Sequence, residues 1–273
     1  MSDGPVRGPG MDGPGDRPGA QTPAALALEA LGRLPSLFRS ALPGRAVGGG
    51  PVRYLHVGKA AGTAVRSIAD RVNASAGSEV IRRERHRVTL HDIPDDARYF
   101  FSIRDPVDRF VSGFHSRKRK GQPRTYSEWS AAETWAFAAF ESAADLADAL
   151  FAPGEDGRRA LAAIKSIQHT YRGQIDWLDQ HGDALFTRPP VWIVRQAHFV
   201  DDMTGLLTRL GYSRICTPDL LGKRRHVGNY RDVQPLSAAG RANLERWYAQ
   251  DVAFYAACED WIEQATIADR SLA

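Results

Sequence analysis

The sequence predicts an α/β domain with a mostly parallel sheet and helices on both of its faces. Three observations predict it. Short β-rich apolar runs alternate with helical stretches: 52–57 with 64–74, 97–103 with 106–119, and 191–195 with 199–210. The first of these strands runs into a Gly-containing turn, 58–63, that opens a helix. The chain has 273 residues, 43% hydrophobic and 25% charged, the balance of a folded globular protein rather than a disordered or fibrous one.

Taken in order, residues 1–23 hold six Gly and five Pro with almost no apolar content, and read as a disordered tail. Residues 24–51 read as a helix broken at Gly32 and Pro35, followed by a Gly-rich linker. The helix docks on the domain or lies on a membrane surface; with only two basic residues, docking is favoured. The domain is expected over 52–265. VRYLHV is its first strand and ARYFFSI its second. Asp105 is placed to cap a helix whose first position is Pro106. The Ala-rich stretch 130–150 reads as one helix and 158–169 as another. VWIVR is a third strand, and the amphipathic helix after it stops at Gly211. Residues 237–265 read as one long helix with an apolar face of Leu244, Trp247, Tyr248, Val252, Tyr255 and Trp261.

Several classes are excluded at this stage. No run of about 18 apolar residues marks a transmembrane helix. The first residues lack a secretory signal pattern, and two cysteines, Cys216 and Cys258, are too few for a disulfide framework. A cytoplasmic location, at most peripheral to a membrane, is the expectation. The net charge of +4 hides local bias. Residues 98–124 carry eight Lys/Arg against two Asp, residues 222–231 add four bases and no acid, and residues 128–156 carry seven acids and no base. Two basic clusters point to an anionic ligand.

In a parallel α/β sheet, ligands bind beyond the carboxyl ends of the strands. That rule selects two loops. In 58–63, backbone amides of a turn and a helix N-terminus form an anion cradle, with Lys59 adding charge and Thr63 a hydroxyl. No G-x-x-x-x-G-K-[ST] exists, which disfavours ordinary ATP or GTP chemistry. In 104–112, Arg104 at the strand end and Ser112 two helical turns on are positioned to share one anion. Phe110 and Phe114, four apart, are expected in the core.

Together the loops carry a resemblance. HVGKAAGTAV resembles the 5′-phosphosulfate loop of sulfotransferases, and IRDPVDRFVSGF resembles their 3′-phosphate motif in its carbohydrate-type version. The spacing of about 45 residues also fits. VWIVRQAHFVDDMTGLLTRLG and LSAAGRANLERWYAQDVAFYAAC are similar to later segments of that family, so the likeness covers about 52–260. It implies a P-loop, nucleotide-kinase-like fold with a helical insert. It also implies 3′-phosphoadenosine 5′-phosphosulfate as co-substrate without a metal, and sulfuryl transfer to a hydroxyl. By position, Lys59, Gly62 and Thr63 would bind the 5′-phosphosulfate, and Arg104 and Ser112 the 3′-phosphate. The chain departs from the family loop at Ala60, Ala61 and Ala64, so that two hydroxyls are absent.

The acceptor hydroxyl needs a base, and a His titrating near neutrality suits the task. The resemblance places a His or Glu between the loops. His86 is the choice there, with His91 and Glu84 as alternatives. His56 is expected to pack in the sheet, His115 to face the acceptor side, and Lys223, Arg224, Arg225 and His226 to close over the donor or stay solvated. Trp129, Trp135, Trp177 and Trp192 are expected mainly in the core. A carbohydrate or glycolipid acceptor, as for a bacterial enzyme, is the expectation, with no nucleic acid partner. A phosphotransferase on the same scaffold, and a catalytically degenerate anion or nucleic-acid binder, are the competing readings.

Overall fold

The computed structural model describes residues 50–178, 182–215 and 234–271. The expected tail 1–23, nearly all of the segment 24–51, and the basic loop with Lys223, Arg224, Arg225 and His226 lie outside the described residues.

Four strands form one parallel sheet: β1 (Val52–Leu55), β2 (Ile81–Arg83), β3 (Tyr99–Ile103) and β4 (Ile193–Arg195). Their spatial order is β2-β1-β3-β4. Every residue of β3 is buried, as a parallel strand covered on both faces requires. The helices are α1 (Gly62–Ala76), α2 (Pro106–Lys118), α3 (Ala131–Ala139), α4 (Ala143–Ala149), α5 (Gly154–Ser166), α6 (Ala184–Thr187), α7 (Phe199–Arg209), α8 (Ala238–Trp247) and α9 (Ala249–Ser271). The chain leaves β1 through α1 toward the β2 edge and leaves β3 through α2–α6 toward the β4 edge. Adjacent strands β1 and β3 therefore flank the topological switch point, and both loops singled out above follow these two strands.

Two apolar clusters hold the fold. One joins the sheet to α1, α7 and α9 through residues such as Phe100, Phe101, Leu207, Phe254 and Trp261. The other lies among α2–α5 and α8, with Phe110, Phe114, Phe137, Leu146, Ile164 and Leu244. The Phe110 and Phe114 rings meet at 6.1 Å, the neighbour relation of positions four apart on a helix. Asp105 does cap α2, its carboxylate accepting from the Asp108 amide at 2.8 Å, with Pro106 in the first turn.

Three expectations need correction. Residues 130–150 form two helices, because Ser130 with Glu133 and Ser142 with Asp145 each build a capping box and so start a helix apiece. The C-terminal helix is likewise two, α8 and α9, broken at Tyr248, whose hydroxyl is drawn inward to donate to the Thr170 carbonyl. The inward face of α9 runs through Asp251, Phe254, Cys258, Trp261 and Ile262, and Val252 points outward at 38% exposure. Strand β2 had no apolar signature, since only Ile81 of its three residues is buried. Asn73 of α1 fixes it instead: its side-chain oxygen accepts from the Val80 and Ile81 amides and its amide donates to the Ile81 carbonyl, all at 2.9 Å. No helix among the described residues is long and apolar enough to cross a membrane.

Candidate anion-binding site

The first loop is held by its carbonyls. Ser102 of β3 donates to the Ala60 carbonyl and itself accepts from the Tyr54 hydroxyl. Arg109 of α2 donates through Nε to the Gly58 carbonyl at 2.9 Å. With these carbonyls turned inward, the intervening backbone folds through Lys59 and Ala61 at φ of 67° and 65°. Left-handed backbone costs a non-glycine residue on the order of 1 kcal/mol, and such alternating turns point successive amides to one side as an anion nest. Ala61 is also the N-cap of α1. The Ala64 and Val65 amides bond back to its carbonyl, which leaves the amides of Gly62 and Thr63 as donors at the helix start. The Ala60 side chain is fully buried, so the cradle is lined there by backbone rather than by a side-chain hydroxyl.

Gly62 has a specific steric task. A Cβ on it would fall 1.9 Å from Nε2 of His56. His56, just past the end of β1, therefore points its Nε2 edge at the helix start, and the His86 ring lies against it, tilted by 33° with 3.7 Å between centroids. His86 is exposed to solvent on its other side and hydrogen-bonds to the His56 backbone. Its carbonyl accepts from the Trp177 indole at 2.7 Å. Burial against its neighbours and the charge of Lys59 push the His86 pKa down, the backbone bond opposing them. A ring with one nitrogen engaged and a lowered pKa is neutral at pH 7 and has its other nitrogen free to accept a proton.

Lys59 is surrounded by cations. Burial pushes its ammonium down to about 8, and Arg104, Arg124, Arg119 and Arg109 add to the shift. These four charged neighbours are all positive, an arrangement suited to an anionic ligand. Arg104 follows β3; its backbone is clamped by Gln174 and its buried Nε has no hydrogen-bond partner. Arg124, beyond α2, donates to the Thr63 hydroxyl and so ties the segment after α2 to the first loop.

The expected site residues thus divide. Lys59, Gly62, Thr63, Arg104 and His86 come together around the mouth between β1 and β3. Ser112 is 7% exposed on α2, beside Gly113, and makes no bond to Arg104. Glu84 is committed to an ion pair with Arg53 at 2.6 Å. His91 sits exposed in a short 3-10 turn, Leu90–Asp92. Trp177 and Trp192 are buried as expected, but Trp135 is 41% exposed.

Several residues at the site had escaped notice. His169 is one: a Cβ on Gly58 would lie 3.6 Å from its Nδ1, and a Cβ on Gly113 would lie 3.3 Å from its own Cβ. It wedges between the first loop and α2 at a strained φ of 77°. Burial, with Lys59 second, pushes its pKa down to about 3, and burial with His86 does the same to His56. Among the described residues, these imidazoles form no group placed to hold a metal. Arg109, Arg172, Gln174 and Asp251 are the others. Arg109 lies on α2 and Asp251 on α9, while Arg172 and Gln174 belong to 167–178, whose only regular structure is a 3-10 turn and where Thr170 and Gln174 are buried.

Geometry and charge thus bring the first-loop backbone, Lys59 and Arg104 together at the switch point of a parallel α/β sheet, with the His56–His86 pair beside them, as a candidate site for an anion. No family model matches the chain, and neither a curated protein nor a solved structure matches it.

Proposed function

We propose that the protein transfers the sulfuryl group of 3′-phosphoadenosine 5′-phosphosulfate to a hydroxyl, on a fold of the P-loop nucleotide-kinase kind, with a carbohydrate or glycolipid as acceptor. One observation supports the proposal: two loops follow the adjacent strands that flank one switch point, and Lys59 in the first of them has Arg104 of the second among four positively charged neighbours. A donor with one phosphate at 3′ and a phosphosulfate at 5′ needs two such loops. The amides of Gly62 and Thr63 would take the 5′ group, and the unpartnered Arg104, with Ser112, the 3′-phosphate. The absent hydroxyls at positions 60 and 64 matter little to a cradle whose donors are backbone amides.

The chemistry then follows from position and charge. The bond from sulfur to the bridging oxygen breaks as the acceptor oxygen bonds to sulfur, and negative charge grows on the bridging oxygen. Protonated Lys59 stabilises that charge more in the transition state than in the ground state. His86, neutral and with one nitrogen occupied, takes the acceptor proton. His91 and Glu84 are less suited, one lying outside the cradle and the other held by Arg53.

Calorimetric titration tests the donor assignment. Wild-type protein is expected to bind 3′-phosphoadenosine 5′-phosphate more tightly than 5′-AMP or ATP. Arg104→Ala is expected to weaken the bisphosphate by about 10- to 100-fold, the worth of a charged hydrogen bond, and 5′-AMP hardly at all. Equal affinity for 5′-AMP and the bisphosphate would overturn the proposal. Binding of single-stranded nucleic acid with a steep salt dependence would replace it with the binder reading.

A further inference from the structure

We propose that Arg109, Gln174 and Asp251 form one buried positioning hub that sets the geometry of both anion loops from the C-terminal helix. Asp251, in the first turn of α9, is 2% exposed. Its carboxylate accepts from the Gln174 amide at 2.6 and 2.7 Å and from the Ile175 amide at 3.1 Å. Gln174 passes the restraint on. Its side chain accepts from the Arg104 amide at 2.9 Å and donates to the Arg104 carbonyl at 2.7 Å, the two-point clamp of a sheet neighbour made by one side chain. Arg104 is thereby aimed by its backbone while its guanidinium stays available.

The second arm runs through Arg109. It is 1% exposed and lies 3.9 Å from Asp251. Its fork reaches two carbonyls in different segments, Gly58 at 2.9 Å through Nε and Arg172 at 2.8 Å through Nη1. A lysine keeps the charge but lacks the planar fork that spans both. Trp177 closes the hub, with Arg109 5.8 Å from its ring centre and Arg172 at 3.7 Å. Nη2 of Arg109 is buried without a partner, so the guanidinium is not placed for its own best solvation or pairing. What the placement secures is the Gly58 carbonyl, and with it the turn that presents Lys59. Asp251 thus restrains Arg104 through Gln174 and Gly58 through Arg109. These are positioning residues, since none is placed to touch the ligand.

Only the ligand half of the test rests on the donor reading above; the other half reads Lys59 directly. The chain has five lysines, so reductive methylation with a carbon-13 label and NMR titration of the full chain resolves Lys59, assigned by its loss in Lys59→Met. Arg109→Lys preserves charge, and Asp251→Asn preserves shape. Loss of the Asp251 charge alone would lower the Lys59 pKa, whereas loosening the loop exposes the ammonium and raises it. In both variants the Lys59 pKa is expected to rise by about one unit or more from about 8. Binding of 5′-AMP and of the bisphosphate is expected to weaken together, by about tenfold. Gln174→Leu is expected to weaken the bisphosphate by about tenfold while leaving 5′-AMP and the Lys59 titration as in wild type. If Arg109→Lys fails to fold, Asp251→Asn decides the same question. Folded variants with wild-type Lys59 titration and wild-type affinities would overturn the hub. If the wild type binds no bisphosphate, the donor reading fails while the Lys59 titration still decides the hub.

Discussion

Replacing Lys59 by Met is expected to lower the rate of the proposed sulfuryl transfer by about 10²- to 10³-fold, the usual effect of removing one group that meets transition-state charge. Donor affinity falls less, because the amides and Arg104 remain. The same substitution is expected to raise the melting temperature of the ligand-free protein at pH 7. Burial and four arginines hold the Lys59 ammonium at about 8, well below its ordinary 10.5. Between these values the unfolded chain binds more protons than the folded one, so this group makes stability rise with pH across that window, and below pH 8 its full penalty is present. Methionine removes the penalty, a gain in stability at the expense of function. The pH dependence of binding has the opposite sense. An anion in the cradle raises the Lys59 pKa, so binding takes up a proton above pH 8. Affinity for the bisphosphate is expected to be level below that pH and to fall by up to tenfold per unit above it, the fall disappearing in Lys59→Met. Calorimetry at several pH values, in buffers of different ionisation enthalpy, measures both the slope and the proton uptake. A wild-type affinity independent of pH between 7 and 10 would refute the assignment of Lys59 to the anion.

How much of this was legible in the sequence depends on how far apart the contacts lie. The strand-loop-helix units at β1 and β3 are local: alternation of apolar runs, the Asp105-Pro106 cap and the glycine of the first turn all sit within a few residues of what they determine. So Lys59, Gly62 and Arg104 could be picked out before any coordinates. The helix breaks at 140–142 and at Tyr248 were harder, because Ala-rich and apolar periodicity continues across both. Only the capping boxes, and a buried bond from Tyr248 to Thr170, 78 positions away, reveal the stops. The hub was not legible at all. Asp251 stands 77 positions from Gln174, and Arg109 stands 51 from Gly58. Each is a single polar residue on a helix, where a solvated face is the default reading. Nor does periodicity indicate that Gly62 is small because His56 lies against it, or that His169 fills the space left by Gly58 and Gly113.

Glu133→Ala is expected to destabilise the fold by about 3–5 kcal/mol, the cost of stranding one member of a buried ion pair. Glu133 of α3 faces Arg117 in the last turn of α2, with bonds of 2.7 and 2.8 Å between side chains that are 4% and 5% exposed. Its oxygens also accept from the Ser130 and Gln168 amides at 3.0 and 3.1 Å. Arg117 donates further to the Ser127 and Glu128 carbonyls, and its own carbonyl accepts from the Trp129 indole. One pair therefore ties α2, which carries Arg109 and Ser112, to the start of the helical insert and to the segment leading to His169. Burial alone would raise the Glu133 pKa, but the Arg117 hydrogen bonds and the two amides outweigh it and hold it at about 2. The folded carboxylate is thus harder to protonate than the unfolded one at its ordinary 4.5. The stability it contributes is complete above pH 4.5 and drains away as pH falls toward 2. Urea unfolding across that range is expected to show the wild-type midpoint dropping with acid more steeply than in Glu133→Gln, which has no carboxylate to protonate. At neutral pH, loss of the pair in Glu133→Ala is expected to lower the melting temperature by on the order of 10 °C. Parallel acid profiles for wild type and Glu133→Gln would show that the pair is not what joins the insert to α2. Apolar packing of Phe114 and Trp129 on Phe137, at 5.3 and 4.9 Å between ring centres, would then be the principal tie.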